Sequence, residues 1–150
     1  MYYLRYITSD DQETTVNDVL EIANSHTPGF TLEDRILSFN GRELALISIS
    51  RAGDKLFDIE IAEFIEFAKE SEAGEPGQPK GLAKVLERLE SASEMFAFQV
   101  LNAGEEESYD LLEPVWDALN ASRGGMLQAD AIGYFIDGKI AFATAEDEND

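Results

Sequence analysis

A short pattern of predicted elements occurs twice in this chain. Each copy begins with a strand, continues with an amphipathic helix and closes with a hairpin, the first over about 2–51 and the second over about 95–145. The hairpin turns, Asn40-Gly41 and Asp137-Gly138, lie 97 positions apart. Asn-Gly and Asp-Gly supply the two positive φ angles of a type I′ turn, whose twist matches that of a hairpin. The pattern therefore predicts a duplicated βαββ unit.

The first copy has a well-marked helix. Apolar residues recur on one helical face over about Thr15–Ser25. Thr15, followed three residues later by Asp18, is a capping box, in which each side chain accepts a hydrogen bond from the other's backbone amide. The preceding strand, Tyr2–Thr8, carries large residues on both faces. This suits a central strand covered on both sides, or a strand covered on one side whose aromatic hydroxyls reach water. Two further strands are predicted over Phe30–Phe39 and Glu43–Arg51.

The connector between the copies, 52–94, has mixed signals. A strand is predicted over Leu56–Ala62 and a short helix over 63–71. Glycines and prolines mark 72–81 as a loop. A second helix follows over Leu82–Ala92, because Leu82, Val85, Leu86 and Leu89 share one face.

The second copy starts with a strand over Met95–Asn102. Its helix is predicted to begin at Asp110, because a proline such as Pro114 is tolerated in the first turn of a helix. Strands are predicted over Met126–Ile136 and Lys139–Thr144, and the acidic tail, 146–150, is predicted to fray.

These elements predict one α+β domain over 1–150. Hairpins make neighbouring strands antiparallel, and helices with a single apolar stripe lie on a sheet. We therefore expect duplicated βαββ units forming a mainly antiparallel sheet of about six or seven strands, with helices packed on one face.

The sequence lacks the usual motifs of catalysis and cofactor binding. It contains no cysteine and one histidine, His26, at the end of the first helix. An imidazole there typically interacts with the last helical carbonyls. Phosphate-loop, dinucleotide, zinc and calcium motifs are missing from the sequence. We predict no catalytic residue, no metal and no cofactor.

Two acids occupy matched strand positions. With the hairpin turns aligned, Asp130 corresponds to Glu33, although acids are poor strand formers. In one interpretation both side chains point to water. In the other they line a groove between the copies, where they bind a small molecule or act as a carboxylate pair of the glycosidase kind.

Acidic residues dominate the charge. The chain has 31 acids and 11 bases, a net charge of −20, and the excess is equal in its two halves. Such a field attracts basic proteins and repels nucleic acid and anionic membranes. The same charge also suits solubility or life in high salt. A DNA-mimicking inhibitor is a further alternative, but it requires folding to gather the acids on one face.

We predict a non-enzymatic acidic protein-binding module that recognises a basic protein partner, as inhibitors and immunity proteins do. Charge steers the encounter, and a buried aromatic anchor supplies affinity. The predicted patch lies in the segments before the first and third helices, with Tyr109 as its anchor. Its acids are Asp10, Asp11, Glu13, Glu105, Glu106 and Glu107. Trp116 belongs to the helix stripe and is predicted to lie in the core.

The start of the chain shows no secretory leader, and its apolar runs are too short to span a bilayer. The sequence therefore predicts a cytoplasmic protein without membrane contact or direct nucleic-acid binding.

Overall fold

Helices and strands are interspersed along the chain in an α+β order. The computed structural model describes residues 3–9, 13–74, 80–101, 105–130 and 133–143, with the backbone alone for 71–74, 80, 105–109, 111 and 143. The elements in these ranges are β1 (Tyr3–Thr8), α1 (Val16–His26), β2 (Phe30–Glu33), β3 (Ile36–Phe39), β4 (Arg42–Arg51), α2 (Lys55–Gly74), α3 (Lys80–Glu90), β5 (Glu94–Val100), α4 (Glu105–Arg123), β6 (Met126–Ala129), β7 (Gly133–Ile136) and β8 (Lys139–Ala143).

The strands form one antiparallel sheet. Eight strands in the described ranges pair in the order β2-β3-β4-β5-β1-β6-β7-β8, and every pairing is antiparallel. Strand β1 lies between β5 and β6. Of the two positions that its large residues suggest, β1 therefore has the central one.

Both predicted hairpin turns are present. Asn40 and Asp137 have φ angles of 52° and 53°, and a glycine with positive φ follows each of them. The segment 30–39 is nevertheless not one strand, because Asp34 and Arg35, with φ of 52° and 65°, turn the chain back between β2 and β3. The segment 126–136 is likewise split into β6 and β7. The sequence prediction missed the first turn because arginine is not a usual turn residue and no glycine or proline marks it.

The connector forms helices instead of the predicted strand over Leu56–Ala62. Helix α2 runs without interruption from Lys55 to Gly74. Its buried residues Phe57, Ile61 and Ala68 follow helical spacing. The strand prediction was wrong because a local alternation of apolar residues was weighed above this longer helical stripe.

Helix α4 starts at Glu105, before the predicted N-cap at Asp110, and holds Pro114 in its interior. Proline deprives an interior helical carbonyl of its amide partner. Leu112, Val115 and Leu119 are fully or almost fully buried around it, so tertiary packing overrides the local cost.

Helices cover both faces of the sheet, which corrects the prediction of a single covered face. Helices α1 and α4 pack with Leu4 and Tyr6 of β1 in one core cluster. Helices α2 and α3 pack with Ile7, the next side chain along the same strand, in a second cluster. Successive strand residues point to opposite faces, so the two helical pairs lie on opposite sides.

The duplication is not confirmed. Each half contains a strand, a helix and a three-stranded meander. In the first half the last meander strand, β4, pairs with the central β5, whereas in the second half the first meander strand, β6, pairs with the central β1. A two-fold exchange of the halves would put β8 at that position.

Candidate functional site

The predicted acidic patch is described only in part. Glu13 is exposed. Asp10 and Asp11 lie outside the described residues, as do the side chains of Glu105, Glu106, Glu107 and Tyr109. The backbone of 105–109 belongs to α4, so these residues form the first turns of the helix and not a loop before it. The acidic tail, 146–150, also lies outside the described residues.

Glu13 and the segment 105–107 lie toward opposite ends of α4. Arg123, the last residue of α4, donates from Nε to Thr14 Oγ1 at 3.3 Å. Thr14 follows Glu13 directly. A straight helix rises by 1.5 Å per residue, so Glu105 lies about 27 Å from Arg123 along α4. The described acid of the first segment, Glu13, is therefore separated from 105–107 by most of the length of α4.

Three side chains, those of Glu94, Arg51 and Arg123, form hydrogen bonds with Thr14. Glu94 Oε2 accepts from the Thr14 amide at 2.9 Å and from Arg51 Nε at 2.8 Å. Arg51 Nη2 also donates to the Thr14 carbonyl. Arg51 and Arg123 therefore attach the start of α1 to the sheet and to α4.

Glu33 and Asp130 do not share a groove. Glu33 is exposed on β2, the edge strand, whereas Asp130 follows β6. Five strand positions separate β2 from β6, which is on the order of 24 Å across the sheet. The structure therefore gives no geometric basis for a carboxylate pair at these residues.

Asp130 instead belongs to a polar cluster beneath α2. Arg5 Nη1 donates to Asp130 Oδ1 and to Gln128 Oε1, both at 2.8 Å. The Arg5 guanidinium carbon lies 4.9 Å from the centre of the Tyr3 ring and 5.4 Å from that of Phe64. This cluster joins β1, β6 and α2, which makes Asp130 a packing residue whose charge Arg5 balances.

A small cavity lies between α4 and the β7–β8 turn. Its volume is about 110 Å³, Tyr6, Trp116 and Phe135 contribute aromatic walls, and Asp117 and Asp137 contribute carboxylates. Trp116 is buried in the core cluster, as the sequence predicts. Tyr6 donates from its hydroxyl to the Gly124 carbonyl at 2.8 Å. The cavity has room for a few waters or the end of one side chain.

The two buried tyrosines lead to a prediction about high pH. Burial raises the pKa of Tyr6 and of Tyr134 above the usual range. In the unfolded chain the tyrosine phenols ionise near pH 10. The stability that the neutral phenols contribute to the fold is therefore fully present below that pH, and it is lost as the pH rises through their pKa in the folded state. We expect these two phenols to ionise only as the fold is lost, measured by phenolate absorbance and far-UV circular dichroism. The variants Tyr6→Phe and Tyr134→Phe assign the steps. Full ionisation of both with the dichroism unchanged would contradict this.

The outward face of α2 exposes apolar residues among acids. Leu56, Ile59 and Phe67 are 65%, 46% and 48% exposed, and they account for three of the four exposed large apolar residues in the described part of the chain. They recur at helical spacing on one side. We call this face the α2 surface; its acids are Glu60, Glu63, Glu66 and Glu70.

A groove follows α2 and reaches the end of α3, which contributes Leu89 and Glu90 to it. Two depressions, of about 510 and 320 Å³, share Ala62 and Ile65 and therefore adjoin. The floor of the smaller depression includes the buried Phe57, Ile61 and Leu89. Carboxylates line the two depressions, namely Asp58, Glu66, Glu70 and Glu90. The base among the lining residues, Lys69, has its Nζ 3.9 Å from Glu90 Oε2. The groove thus combines an apolar floor with an acidic rim.

The sequence prediction missed the α2 surface because it assigned a strand to Leu56–Ala62. A helical projection of 55–70 would have found it. That projection places Leu56, Ile59 and Phe67 away from the buried side of Phe57, Ile61 and Ala68.

In the described ranges, no group of three or more histidine or acidic side chains is placed to hold a metal ion. No helix within the same ranges combines the length and apolarity needed to cross a membrane.

Comparison with known families, curated proteins and solved structures gives no match to this chain. The surfaces described above are therefore the basis for proposing a function.

Proposed function

We propose that this chain is a non-enzymatic cytoplasmic module that binds a basic protein, in the manner of an inhibitor or immunity protein. The observation that carries the proposal is the α2 surface, where Leu56, Ile59 and Phe67 are exposed beside four glutamates. Exposed apolar residues grouped on one face are typical of a protein-binding site. The apolar side chains supply affinity, and the glutamates select and steer a cationic partner.

The charge of the partner follows from that of the whole chain. A net charge of −20 raises the rate at which a cationic protein meets it and disfavours an acidic one. A second copy of this chain is a poor occupant of the α2 surface, because the same glutamates would face one another. The acidic segments at 10–13 and 105–107 remain a predicted steering region.

Affinity capture followed by reconstitution tests the proposal. The chain is immobilised at low salt, a captured protein is identified and purified, and its binding is measured by calorimetry at several salt concentrations. We expect a basic protein whose Kd increases as salt is added, because counter-ions screen the attraction. Binding that does not change with salt, or a purified protein that does not rebind, would refute it.

Serine variants of the α2 surface provide the sharpest test. Leu56→Ser, Ile59→Ser and Phe67→Ser replace exposed side chains, so each should change stability by no more than about 0.5 kcal/mol. We expect the strongest of them to raise the Kd for the purified partner about tenfold or more, because truncating a binding hot spot costs about 2 kcal/mol or more. Ile140→Ser is the matched control, since Ile140 is 57% exposed but lies on β8. If all four variants changed the Kd equally, the α2 surface would not be the binding site for the partner.

A DNA-mimicking inhibitor is the second candidate. The sequences of α1 and α4 carry eight acids and one base, whereas those of α2 and α3 carry eight acids and five bases. Such an imbalance between the two helical layers is what mimicry requires. Competition by duplex DNA for the purified partner distinguishes the two candidates, because a mimic and DNA occupy the same site.

A further inference from the structure

We propose that the groove along α2, at the end of α3, binds a single amphipathic helix of the partner, with its apolar side in the groove and its lysines or arginines at the acidic rim. This inference rests on the proposed function and adds the place and the chemistry of the contact. It uses the groove itself, which the exposed residues Leu56 and Phe67 do not line.

The dimensions of the groove fit a short helix. Its lining residues on α2 extend from Phe57 to Glu70, which is about 20 Å at 1.5 Å per residue. This length corresponds to between three and four turns of a seated helix. The two depressions together exceed the space that one side chain fills, so several apolar side chains at i, i+3 or i+4, and i+7 can enter.

The floor of the groove beside the end of α3 is apolar and packed into the core. Phe57, Ile61 and Leu89 are buried within the second core cluster, so they are held in place before a ligand arrives. Ala62 is exposed and small, and it lies in both depressions. A preformed floor reduces the ordering cost of binding, and a small residue at the junction lets a helix backbone come close.

The rim selects a cationic helix. Among the lining residues there are four acids and one lysine, Lys69. The acids are Asp58, Glu66, Glu70 and Glu90. Lys69 and Glu90 are both more than half exposed, and such a surface pair contributes little stability. A cationic side chain can therefore replace Lys69 at Glu90 at small cost. Lys69 also repels a cationic ligand, so its removal should strengthen binding.

A model peptide tests the inference with the full-length chain. The probe is a fluorescent helical peptide of about 14 leucine and lysine residues with the apolar residues on one side, and a scrambled peptide of the same composition is its control. Fluorescence anisotropy at low salt and at about 0.15 M salt gives the Kd. We expect the helical peptide to bind about tenfold more tightly than the scrambled one, because only the helical peptide presents a continuous apolar side.

Variants of the groove identify the site. Ala62→Gln fills the groove without changing charge and should weaken peptide binding about tenfold, whereas Ala121→Gln, at an exposed position of α4, should leave it unchanged. Removing three rim charges by Glu66→Gln, Glu70→Gln and Glu90→Gln should weaken binding and reduce its dependence on salt. The matched variant of α4 removes the same number of charges through Asp110→Asn, Glu113→Gln and Asp117→Asn, and it should have a smaller effect. Lys69→Gln should strengthen binding, which a purely structural role of Lys69 would not produce.

The outcomes separate this inference from the proposed function. If Ala62→Gln leaves peptide binding unchanged while the purified basic partner still binds in a salt-dependent manner, the groove is not the contact and the proposed function stands. If the α4 variant lost more affinity for the peptide than the rim variant, the groove would not be the binding site, and the contact would lie on the layer formed by α1 and α4. If neither the peptide nor any basic partner binds, both proposals are wrong.

Discussion

Replacing Gly81 by alanine is expected to destabilise the fold by about 3 kcal/mol, near the upper end of overpacking effects. A Cβ at this position would overlap the carbonyl oxygen of Ala141 on β8. The obstacle is backbone, so it cannot rotate away, and α3 or β8 must move. Urea denaturation and thermal unfolding measure the change; for a chain of this length the melting temperature should fall by roughly 6–12 °C.

The expected sign is the opposite of what helix propensity predicts. Alanine normally stabilises a helix relative to glycine by about 0.5–1 kcal/mol. Ala83→Gly is the control, because Ala83 is an exposed residue of the same helix, and it should lose only that amount. If Gly81→Ala stabilised the protein, the close approach of α3 to β8 would be wrong.

Replacing Glu94 by alanine is expected to cost about 2 kcal/mol, because it removes the charged acceptor of a buried amide and one partner of an ion pair whose other side chain, Arg51, is 34% exposed. The Glu94 side chain is 3% exposed, and its Oε2 accepts from Arg51 Nε and from the Thr14 amide. Alanine leaves a buried amide without its acceptor and a guanidinium without its counter-charge. Amide exchange at Thr14, followed by nuclear magnetic resonance, should accelerate together with the loss of global stability.

Two variants separate the ion pair from the general effect of losing a side chain. Glu94→Gln retains an acceptor for Thr14 while it loses the charge, so its destabilisation should lie between zero and that of alanine. Glu90→Ala removes an exposed glutamate of α3 and should change stability by less than about 0.5 kcal/mol. Similar stabilities of Glu94→Ala and Glu90→Ala would mean that the Thr14 contacts do not stabilise the fold.

Features whose partners are close in sequence could be predicted from the sequence. The capping box of α1 forms as expected: Thr15 donates its amide to Asp18 Oδ2 at 2.9 Å and accepts from the Asp18 amide at 3.1 Å. The helix predicted over Leu82–Ala92 is present as α3, and it buries Leu82, Val85 and Leu89. These features depend on residues within one or two turns, which is the range over which residue spacing is informative.

Elements with competing local signals were predicted less well. The alternation around Leu56–Ala62 resembles that of a strand. However, Phe57, Ile61 and Ala68 lie on one face, and can be buried together, only if the segment is helical. Pro114 predicted a later start of α4, but the helix passes through it because its neighbours are buried. In both cases the free energy of burial outweighs a local preference of about 1–3 kcal/mol.

Because of the wrong strand prediction, the α2 surface was not predicted from the sequence. The acidity was evident from composition, but most side chains of the predicted acidic patch lie outside the described residues. The α2 surface and the groove exist because 55–74 forms a single helix that packs beside α3.

The sequence alone was sufficient for the acidity, the α+β class, the two type I′ turns, the capping box and the apolar stripes of α1 and α3. Tertiary structure decided the order of the strands, the covering of both sheet faces and the pairing of Arg5 with Asp130, residues 125 positions apart. The physical reason is that periodicity shows which side of an element must leave water, but not which element will cover it. Backbone hydrogen bonds between strands are nearly the same for every sequence, so the neighbours of β1 are selected by packing over the whole chain.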